Sequence, residues 1–388
     1  MKVAILTYHW IHNFGGQLQA LATSEALRNL GYEPIVIHLV QPDVKKEFYE
    51  KLVPKIQQNA HVEFCNNYLP ISNVCETEDD LIQLIDKENI KNIVVGSDAV
   101  FFIKYPESPL SDTRYPSLFW MRWIEKCKNY KEISIFSISA SCMETNFRVM
   151  PSRIIKGLNE SLKNFKQITV RDLWTKMFLK RVSLFTRITI TPDPVMSFNT
   201  YVNKEFLDPI EVPIKGKYIL YGLQTGVGNA KKDILLEIKK KVNALGYKFI
   251  ALPFPEGSFN ELDDETIPNP VNPLLWYKLI QNASGILSEK FHPIVVSIHN
   301  QVPFFAIDSY GDRVSKKFII PIRVKFTSKT YDLCKRNGLK NNHIPTSLLQ
   351  MNTVDKIVNG LCNKQWDFSK SQNRDKEFLE TLKGFNFK

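Results

Sequence analysis

Short apolar strands that alternate with amphipathic helices constrain the fold of this chain more than any other feature of its sequence. Residues 3–6 form an apolar run, apolar residues recur at helical spacing from Leu18 to Leu30, and residues 35–39 form a second run. The same order returns between Tyr218 and Leu252. Strand–helix–strand units of this kind build parallel sheets covered by helices. The sequence therefore predicts an α/β fold of two Rossmann-like, doubly wound domains that face a cleft.

Prolines mark the predicted domain boundary. Between Thr191 and Lys217 the chain contains four prolines and few long apolar runs, which is typical of a linker. We therefore predict an N-terminal domain over 1–205, a C-terminal domain over 215–365 and a C-terminal tail over 366–388. The pattern also predicts strands at Tyr218–Gly222 and Gly285–Ser288 and helices near 79–86, 115–126 and 172–180.

Charge and composition argue against several classes of protein. The formal net charge of +11 favours an anionic partner such as a phosphorylated substrate, lipid headgroups or nucleic acid. No motif interleaves aromatic and basic residues as nucleic-acid-binding modules do, so we expect no nucleic acid partner. No apolar run approaches the roughly 18 residues of a membrane span, and residues 1–7 are interpreted as a strand instead of a signal peptide, which predicts a cytoplasmic protein. The six cysteines show no zinc-ligand or disulfide-scaffold spacing.

Candidate binding residues of the first domain lie after predicted strands. Asn13 and Gln17 lie in a loop directly before a helix, where backbone amides could meet an anion or a polar substrate, and a plain tight turn is an equal interpretation. Asp98 follows an apolar strand, which suits a catalytic or hydroxyl-binding carboxylate and equally a helix cap. Arg171 could bind a carboxylate or phosphate at two points, or form a salt bridge with Asp172 or another carboxylate.

The densest titratable cluster of the chain is the segment 288–292 in the second half. It connects an apolar strand to an apolar helix and carries the carboxylate of Glu289, the ammonium of Lys290 and the imidazole of His292. A helix N-terminus favours a neutral imidazole, which suits a general base or a proton shuttle. We therefore favour a catalytic role for His292 over a role in capping or packing.

Basic residues dominate the chain between 313 and 340. Nine lysines and arginines, among them Arg313, Lys316 and Lys317, stand there against a single acid, Asp332. A solvated surface explains such a run, and so does a surface that meets anionic headgroups or a phosphorylated acceptor.

Six segments resemble the polysaccharide pyruvyl transferase family in their order and spacing, from about residue 1 to residue 310. The segments are 13–21, 95–101, 169–172, 192–195, 288–293 and 302–307. No single segment would suffice, and their succession makes the resemblance specific.

The resemblance implies a fold similar to the glycosyltransferase-B type, commonly with a C-terminal helix that crosses back to the first domain. It also implies transfer of a pyruvyl group from phosphoenolpyruvate to two hydroxyls of one sugar, as a cyclic ketal with release of phosphate, in the synthesis of a cell-surface or capsular polysaccharide. Arg171 matches the family arginine that holds phosphoenolpyruvate, and His292 the histidine at the reacting centre. Lys290 replaces the usual Arg or Ser, Pro293 replaces Gly or Ala, and Arg313 is the candidate for a further basic residue about twenty positions after the histidine.

The resemblance also distributes the candidate residues between the two substrates. We expect His292 and Arg171 to be catalytic, the donor to bind at Arg171, Lys290 and Arg313, and the acceptor at Asn13, Gln17, Asp98 and Glu289. No metal or other cofactor is expected. The acceptor could be lipid-linked at the inner face of the cytoplasmic membrane, whose anionic surface the basic segment 313–340 would contact.

Two other functions are consistent with the same residues. A nucleotide-sugar-dependent glycosyltransferase of this fold would bind its diphosphate at the glycine-containing loop 222–229, yet no acid is clearly placed to bind a nucleotide ribose. A non-catalytic binding protein of the same fold is the other alternative, and the retention of Arg171 and His292 argues against it.

Overall fold

Two compact units make up the chain. The computed structural model describes residues 1–51, 53–106, 108–308 and 328–388. The first unit comprises Met1–Val53, His61–Val202 and Arg374–Lys388, and the second comprises Pro54–Ala60 and Asn203–Asn373. The change from the first unit to the second after Val202 falls within the proline-containing stretch 191–217.

A parallel sheet of seven strands forms the centre of the first unit. Its strands are, in chain order, β1 (Lys2–Leu6), β2 (Glu33–Leu39), β3 (Ile71–Cys75), β4 (Asn92–Val95), β5 (Ser134–Ala140), β6 (Phe165–Val170) and β7 (Ile188–Ile190). They pair in the order β3-β2-β1-β4-β5-β6-β7. Val3 and Ile5 pack into one apolar cluster, and Ala4 and Leu6 pack into another. Because alternate residues of a strand point to opposite faces, both faces of β1 are buried, which is why the strand reads as a continuous apolar run.

The second unit contains a smaller parallel sheet. Its strands are β8 (Tyr218–Gly222), β9 (Lys248–Ala251), β10 (Gly285–Ser288), β11 (Phe304–Asp308) and β12 (His343–Pro345). They pair in the order β12-β11-β10-β8-β9, and every described strand pair in both units is parallel. The predicted α/β fold with two Rossmann-like domains is therefore confirmed.

Helices connect the strands in both units. They are α1 (Phe14–Asn29), α2 (Pro42–Lys51), α3 (Lys55–Tyr68), α4 (Glu78–Lys87), α5 (Ser152–Leu162), α6 (Leu173–Val182), α7 (Phe198–Tyr201), α8 (Thr225–Ala230), α9 (Lys232–Ala244), α10 (Pro273–Gln281), α11 (Phe291–His299), α12 (Lys329–Arg336), α13 (Val354–Cys362) and α14 (Arg374–Lys383). Helices α4 and α6 confirm two of the predicted helices. In the described ranges no helix combines the length and apolar character needed to cross a bilayer.

The helix predicted near 115–126 is wrong. The structure has two short 3₁₀ turns there, at Leu118–Trp120 and Arg122–Lys126. Met121 separates them with φ of +57°, in the left-handed region, which interrupts a right-handed helix. Trp120 and Trp123 are buried, so the apolar residues of this segment recur at a spacing typical of a helix although the backbone is not α-helical.

The last described segment of the chain completes the core of the first unit. Phe378 and Leu382 of α14 and the following Phe385 belong to the apolar cluster that covers one face of the sheet. The ring of Phe385 stacks on Phe136 of β5 at a centroid distance of 4.7 Å. The Asn92 side chain donates to the Lys388 carbonyl (2.9 Å) and accepts from the Lys388 amide (3.0 Å). Residues 374–388 are thus an integral part of the first unit.

Candidate active site

Charged residues of the first unit collect where its strands end. Arg171 directly follows β6, Asp98 follows β4 after two residues, and Asp193 follows β7. Because the strands are parallel, their carboxyl ends lie at one edge of the sheet, where α/β proteins bind ligands. The structure brings the predicted residues Asp98 and Arg171 together there and adds Asp193.

The guanidinium of Arg171 is buried among carboxylates. Its side chain is 1% exposed, Nη1 donates to Asp193 Oδ2 at 3.0 Å, and Nη2 lies 3.9 Å from Asp98 Oδ1. Burial disfavours the charged form, but the carboxylates of Asp193, Asp98 and Asp172 outweigh burial and raise the pKa of Arg171 above its ordinary value. The salt bridge considered as the alternative role of Arg171 is therefore present, with Asp193 as its closest partner.

Asp172 caps a helix. Its Oδ1 accepts from the Thr175 amide (2.7 Å) and from the Thr175 hydroxyl (2.8 Å) at the start of α6. Its Oδ2 accepts from the Ser141 hydroxyl at 2.9 Å. Both oxygens of Asp172 are thus used to fix the strand-to-helix connection that carries Arg171.

Sequence reasoning did not single out Asp193 as a site residue. Besides Arg171, its Oδ2 accepts from the side-chain amide of Gln19 at 2.6 Å, and its Oδ1 accepts from the Val195 amide at 3.0 Å. Gln19 lies on α1, so Asp193 connects the first helix to the end of the last strand of the sheet. The signal available in the sequence was an aspartate between two prolines, three positions after the apolar residue Ile190.

Asp98 has an unusual backbone conformation and limited access to solvent. Its φ is +64°, and its side chain is 14% exposed. A Cβ on Gly96 would lie 2.4 Å from the Ile138 carbonyl oxygen, so only glycine fits at φ +114°. Left-handed residues other than glycine are uncommon and concentrate at functional sites. Of the candidates in the first unit, Asp98 combines a charged group, this conformation and partial access to solvent.

The Asp98 carboxylate approaches the start of α1. A Cβ on Gly16 would lie 3.1 Å from Asp98 Oδ2 and 3.0 Å from the Tyr8 carbonyl oxygen. Gly16 lies in the first turn of α1, where the positive end of the helix dipole stabilises a carboxylate. Nearby, Ser97 Oγ and Gln19 Oε1 are buried and have no hydrogen-bond partner within the described ranges, which is typical of a place where water or a ligand completes the network.

Gln17 and Asn13 are engaged in local structure. The Gln17 amide donates to the His61 carbonyl (3.0 Å) and to Cys65 Sγ (3.1 Å), and its Oε1 accepts from His61 Nδ1 (2.5 Å). The side chain is fully buried, so the geometry contradicts an acceptor contact of Gln17 and gives it the role of joining α1 to α3. Asn13 caps α1 by accepting from the Gly16 amide at 3.3 Å, and it is exposed.

In the second unit, the predicted cluster lies at the carboxyl end of β10. Ser288 Oγ donates to the Gly222 carbonyl (3.1 Å) and accepts from the Lys290 amide (3.1 Å). Glu289 Oε1 accepts from the Gln224 amide at 2.5 Å, directly before α8. Burial raises the pKa of the Glu289 carboxyl, and the hydrogen bond from Gln224 opposes this effect only in part. Glu289 therefore positions the loop after β8.

Lys290 and His292 begin the helix that follows. Lys290 Nζ lies 2.8 Å from Glu256 Oε1 and 5.1 Å from the centre of the Phe254 ring, and both partners of the ion pair are about one third exposed. Helix α11 begins at Phe291, so His292 lies in its first turn, as predicted, and is half-buried. The amino end of α11 thus carries one ammonium and one imidazole.

A buried aspartate of the second unit was also missed. Asp308 ends β11, and its Oδ2 accepts from the Ser328 hydroxyl and lies 3.4 Å from His343 Nε2. Like Asp98, Asp308 comes at the end of an apolar run, and this position in the sequence could have indicated it as a candidate.

Some predicted residues lie outside the described part of the chain. Arg313, Lys316, Lys317 and the other residues of 309–327 are not described, so the donor contact expected at Arg313 stays a prediction. Among the residues that the structure does describe, no group of three or more His, Cys, Asp or Glu side chains is arranged to hold a metal ion. All six cysteines are free thiols.

The model of one known protein family matches most of this chain. The family model of the polysaccharide pyruvyl transferases matches residues 13–310, which is well over half of the 388 residues. The chain belongs to this family. As a polysaccharide pyruvyl transferase it is a transferase of pyruvyl groups, and the matched region includes Asp98, Arg171 and His292. A comparison with curated proteins gives no match.

Solved structures related to this pyruvyl transferase share its fold at low sequence identity. UDP-GlcNAc 2-epimerase from Methanocaldococcus jannaschii has a TM-score of 0.57 and 15% identity, with 99% of each chain covered. A putative UDP-N-acetylglucosamine 2-epimerase from Listeria monocytogenes has a TM-score of 0.53 and 10% identity, covering 99% of this chain and 96% of its own. Arabidopsis thaliana UGT89C1 complexed with UDP-L-rhamnose has a TM-score of 0.51 and 10% identity, with 98% of each chain covered. These likenesses support the glycosyltransferase-B-like fold expected from the sequence.

Proposed function

We propose that this pyruvyl transferase moves the pyruvyl group of phosphoenolpyruvate onto two hydroxyls of one sugar. The product is a cyclic pyruvate ketal in a precursor of a cell-surface or capsular polysaccharide, and phosphate is released. The observation that carries the proposal is the family match over residues 13–310, because it includes both the Arg171 network and the segment 288–292.

The donor requires cations because it carries a carboxylate and a phosphate. Lys290 is a partly exposed cation at the amino end of α11, and its present partner Glu256 is itself about one third exposed, so an incoming anion can replace that carboxylate. Arg171 supplies a permanent positive charge at the edge of the first sheet. We propose Lys290 and Arg313 as the residues that contact the donor. Arg171 was expected to bind the donor as well, but its side chain is 1% exposed and paired with Asp193, so we propose that it acts on the donor through its charge.

Proton transfer is the task of His292 in this reaction. Protonation of the donor methylene carbon gives an oxocarbenium-like C2, which the first hydroxyl attacks. The C2–O bond to phosphate then breaks, and the second hydroxyl closes the ring. The acceptor loses two hydroxyl protons in all. One accounts for the proton added to the methylene carbon, and the other leaves with the released phosphate. A positioned group that both accepts and donates a proton is needed, and an imidazole suits this task at neutral pH.

The acceptor needs groups that orient its hydroxyls. Asp98 suits this role because it carries a carboxyl group, its carbonyl accepts a hydrogen bond from the Ser141 amide at 2.8 Å, and its side chain is partly accessible. Glu289 has a raised pKa, which favours proton uptake, but its Oε1 already accepts from Gln224. Asn13 is exposed and can contact a sugar, whereas Gln17 acts only through the position of α1. In this scheme the acceptor is linked to a lipid at the inner face of the cytoplasmic membrane, and the enzyme itself is cytoplasmic.

Transfer from a nucleotide-sugar is the second candidate function. The structural neighbours suggest it, because they include UDP-GlcNAc 2-epimerases and UGT89C1 complexed with UDP-L-rhamnose, at 10 to 15% identity. The glycines of loop 222–229 offer it little support. A Cβ on Gly228 would lie 2.1 Å from Phe259, and a Cβ on Gly222 would lie 2.8 Å from Ser288 Oγ, so packing within the unit explains these two of the three glycines. The third, Gly226, has open space where a Cβ would lie, and packing does not explain it.

A thermal-shift titration with phosphoenolpyruvate, in parallel with UDP-sugars, tests the proposal. A ligand that binds only the folded state raises the melting temperature by mass action. We expect phosphoenolpyruvate to stabilise the wild-type protein and Lys290→Gln to weaken the effect, while the control Lys232→Gln, which removes an exposed ion pair with Glu261, leaves it unchanged. His292→Asn should retain donor binding and lose phosphate release. Stabilisation by UDP-sugars alone would favour the second candidate.

A further inference from the structure

The connection between α6 and β7 exposes two large apolar side chains. Leu184 is 76% exposed and Phe185 is 98% exposed, the two highest values among the exposed large apolar residues of the described chain. Their neighbours Val182 and Ile188 are buried, so the two side chains project from a well-packed base. Adjacent apolar side chains in water are unfavourable, and such patches mark interaction sites. We call residues 183–187 the apolar tip.

Hydrogen bonds hold the apolar tip in its shape. Lys180 Nζ donates to the Leu184 carbonyl (3.1 Å) and to the Thr186 carbonyl (2.8 Å). The Thr186 hydroxyl donates to Ser183 Oγ at 2.8 Å, and the Ser183 amide donates to the Leu179 carbonyl at 2.8 Å. Because these hydrogen bonds already order the turn, burying the tip against a partner costs little further conformational entropy.

Basic residues lie in and beside the apolar tip along the chain. Between Asp172 and Asp193 the chain contains four basic residues and no acidic one. The basic residues are Lys176, Lys180, Arg181 and Arg187. Arg181 and Arg187 are exposed, and within the described residues neither forms an ion pair with a carboxylate. The tip and its neighbours in the chain therefore combine two exposed apolar side chains with two exposed cations.

We propose that the apolar tip inserts into the surface of an anionic phospholipid bilayer. Phe185 and Leu184 enter the boundary between headgroups and acyl chains, and Arg181 and Arg187 contact lipid phosphates. Apolar side chains beside cations are the signature of interfacial membrane contacts. A stable protein interface needs roughly 800 Å² from each partner, which two side chains on a narrow turn do not supply. The net charge of +11 adds a general attraction to an anionic surface.

This inference goes beyond the proposed function and does not rest on it. The membrane contact expected from sequence was assigned to the basic segment 313–340, of which residues 309–327 are not described. The apolar tip lies in the first unit, so the two assignments are distinguishable by mutation.

Flotation of the full chain with lipid vesicles tests the proposal. One set contains phosphatidylglycerol with phosphatidylcholine and the other contains phosphatidylcholine alone. We expect the wild-type protein to bind the anionic vesicles, the double variant Leu184→Ser and Phe185→Ser to bind at least about tenfold more weakly, and Arg181→Gln with Arg187→Gln to lose roughly fivefold per cation. The binding that remains without the arginines should depend less on salt, since screening acts on charges and not on apolar contacts.

Matched controls remove similar groups elsewhere. Leu348→Ser with Met351→Ser removes two exposed apolar side chains of the second unit, and Lys232→Gln with Lys240→Gln removes two exposed cations of α9. Both controls should bind as the wild-type protein does, and all variants should keep its melting temperature.

Three outcomes would overturn the proposal. The first is absence of binding to anionic vesicles by the wild-type protein. The second is undiminished binding by the Leu184 and Phe185 variant, which would assign the contact elsewhere. The third is a change of molecular mass in sedimentation without vesicles for that variant, which would show that the tip contacts a second protein copy.

Discussion

Arg171 Nη1 lies 3.0 Å from Asp193 Oδ2, and both side chains are sealed from water. The pair joins the end of β6 to the segment after β7, and Gln19 of α1 binds the same carboxylate oxygen. A buried pair of this kind adds little net stability against an apolar pair of the same size, but it costs much to break. Its main effect is to fix the positions of the surrounding charges, Asp98 included.

Removal of Asp193 should destabilise the first unit. Asp193→Asn leaves the Arg171 guanidinium buried without its closest carboxylate, and we expect a loss of about 3 kcal/mol in the free energy of unfolding. Urea denaturation measures this change. Asp98→Asn is the comparison, since its carboxylate lies 3.9 Å from Arg171 and is partly solvated, so it should cost clearly less. Equal losses in the two variants would contradict the dominance of Asp193.

Release of Lys290 should strengthen donor binding. In Glu256→Gln the ammonium loses an ion pair that competes with an anionic donor, and the pair is partly exposed, so the gain is bounded at about 1 kcal/mol, or roughly fivefold in affinity. A titration with phosphoenolpyruvate followed by thermal shift measures it. Glu261→Gln, which removes the partner of Lys232, should leave donor affinity unchanged. A weaker affinity after Glu256→Gln would show that Lys290 does not bind the donor.

Buried histidines of the first unit should make the protein sensitive to mild acid. Burial lowers the pKa of His9 and of His61 to about 3, whereas an unfolded histidine keeps a pKa near 6.5. Below that value the unfolded state binds more protons than the folded state, so stability falls as pH falls from about 6.5 towards 3. Each histidine contributes up to about 1.4 kcal/mol per pH unit.

Urea denaturation between pH 7 and 5 is the measurement, because carboxylates contribute mainly at lower pH. His61→Asn should make the free energy of unfolding less dependent on pH, by the contribution of one histidine. A stability that does not change over this interval would refute the effect. His38, which lies 2.8 Å from His9, also has a lowered pKa and adds to the same slope.

Two glycines should differ in how much stability an alanine costs. Gly96→Ala forces a Cβ to 2.4 Å from the Ile138 carbonyl at φ +114°, so we expect severe destabilisation of at least about 3 kcal/mol. Gly16→Ala places a Cβ 3.0 Å from the Tyr8 carbonyl oxygen and 3.1 Å from Asp98 Oδ2, and the cost of these tight contacts is offset by the roughly 1 kcal/mol by which a helix favours alanine over glycine. It should therefore retain the melting temperature within a few degrees while kcat/KM decreases. Unchanged kcat/KM would show that the position of Asp98 does not matter for turnover.

The sequence predicted the layers of the fold better than the role of each polar residue. Strands β8 and β10 have the predicted bounds because fully buried strands give continuous apolar runs. The helix near 115–126 failed because the backbone of Met121 is left-handed, which no apolar pattern reports. Gln17 was interpreted as a ligand contact because its partner His61 lies 44 positions away and only the tertiary structure reveals their hydrogen bond.

The same limit applies to the candidate site. Strand ends indicated Asp98 and Arg171 because parallel strands bring their carboxyl ends to one edge. The sequence could not indicate that Arg171 would be buried against Asp193, since a local reading offered Asp172 as the adjacent carboxylate, and Asp172 is used to cap α6.

The position of α14 has a consequence for synthesis of the protein. Phe378, Leu382 and Phe385 cover one face of a sheet whose last strand ends at residue 190, and the whole stretch Asn203–Asn373 is translated between them. The nascent first unit therefore leaves the ribosome with part of its apolar face uncovered until the second unit has been made. During that interval the uncovered face is a natural client surface for chaperones, and a truncation before residue 374 would make this exposure permanent.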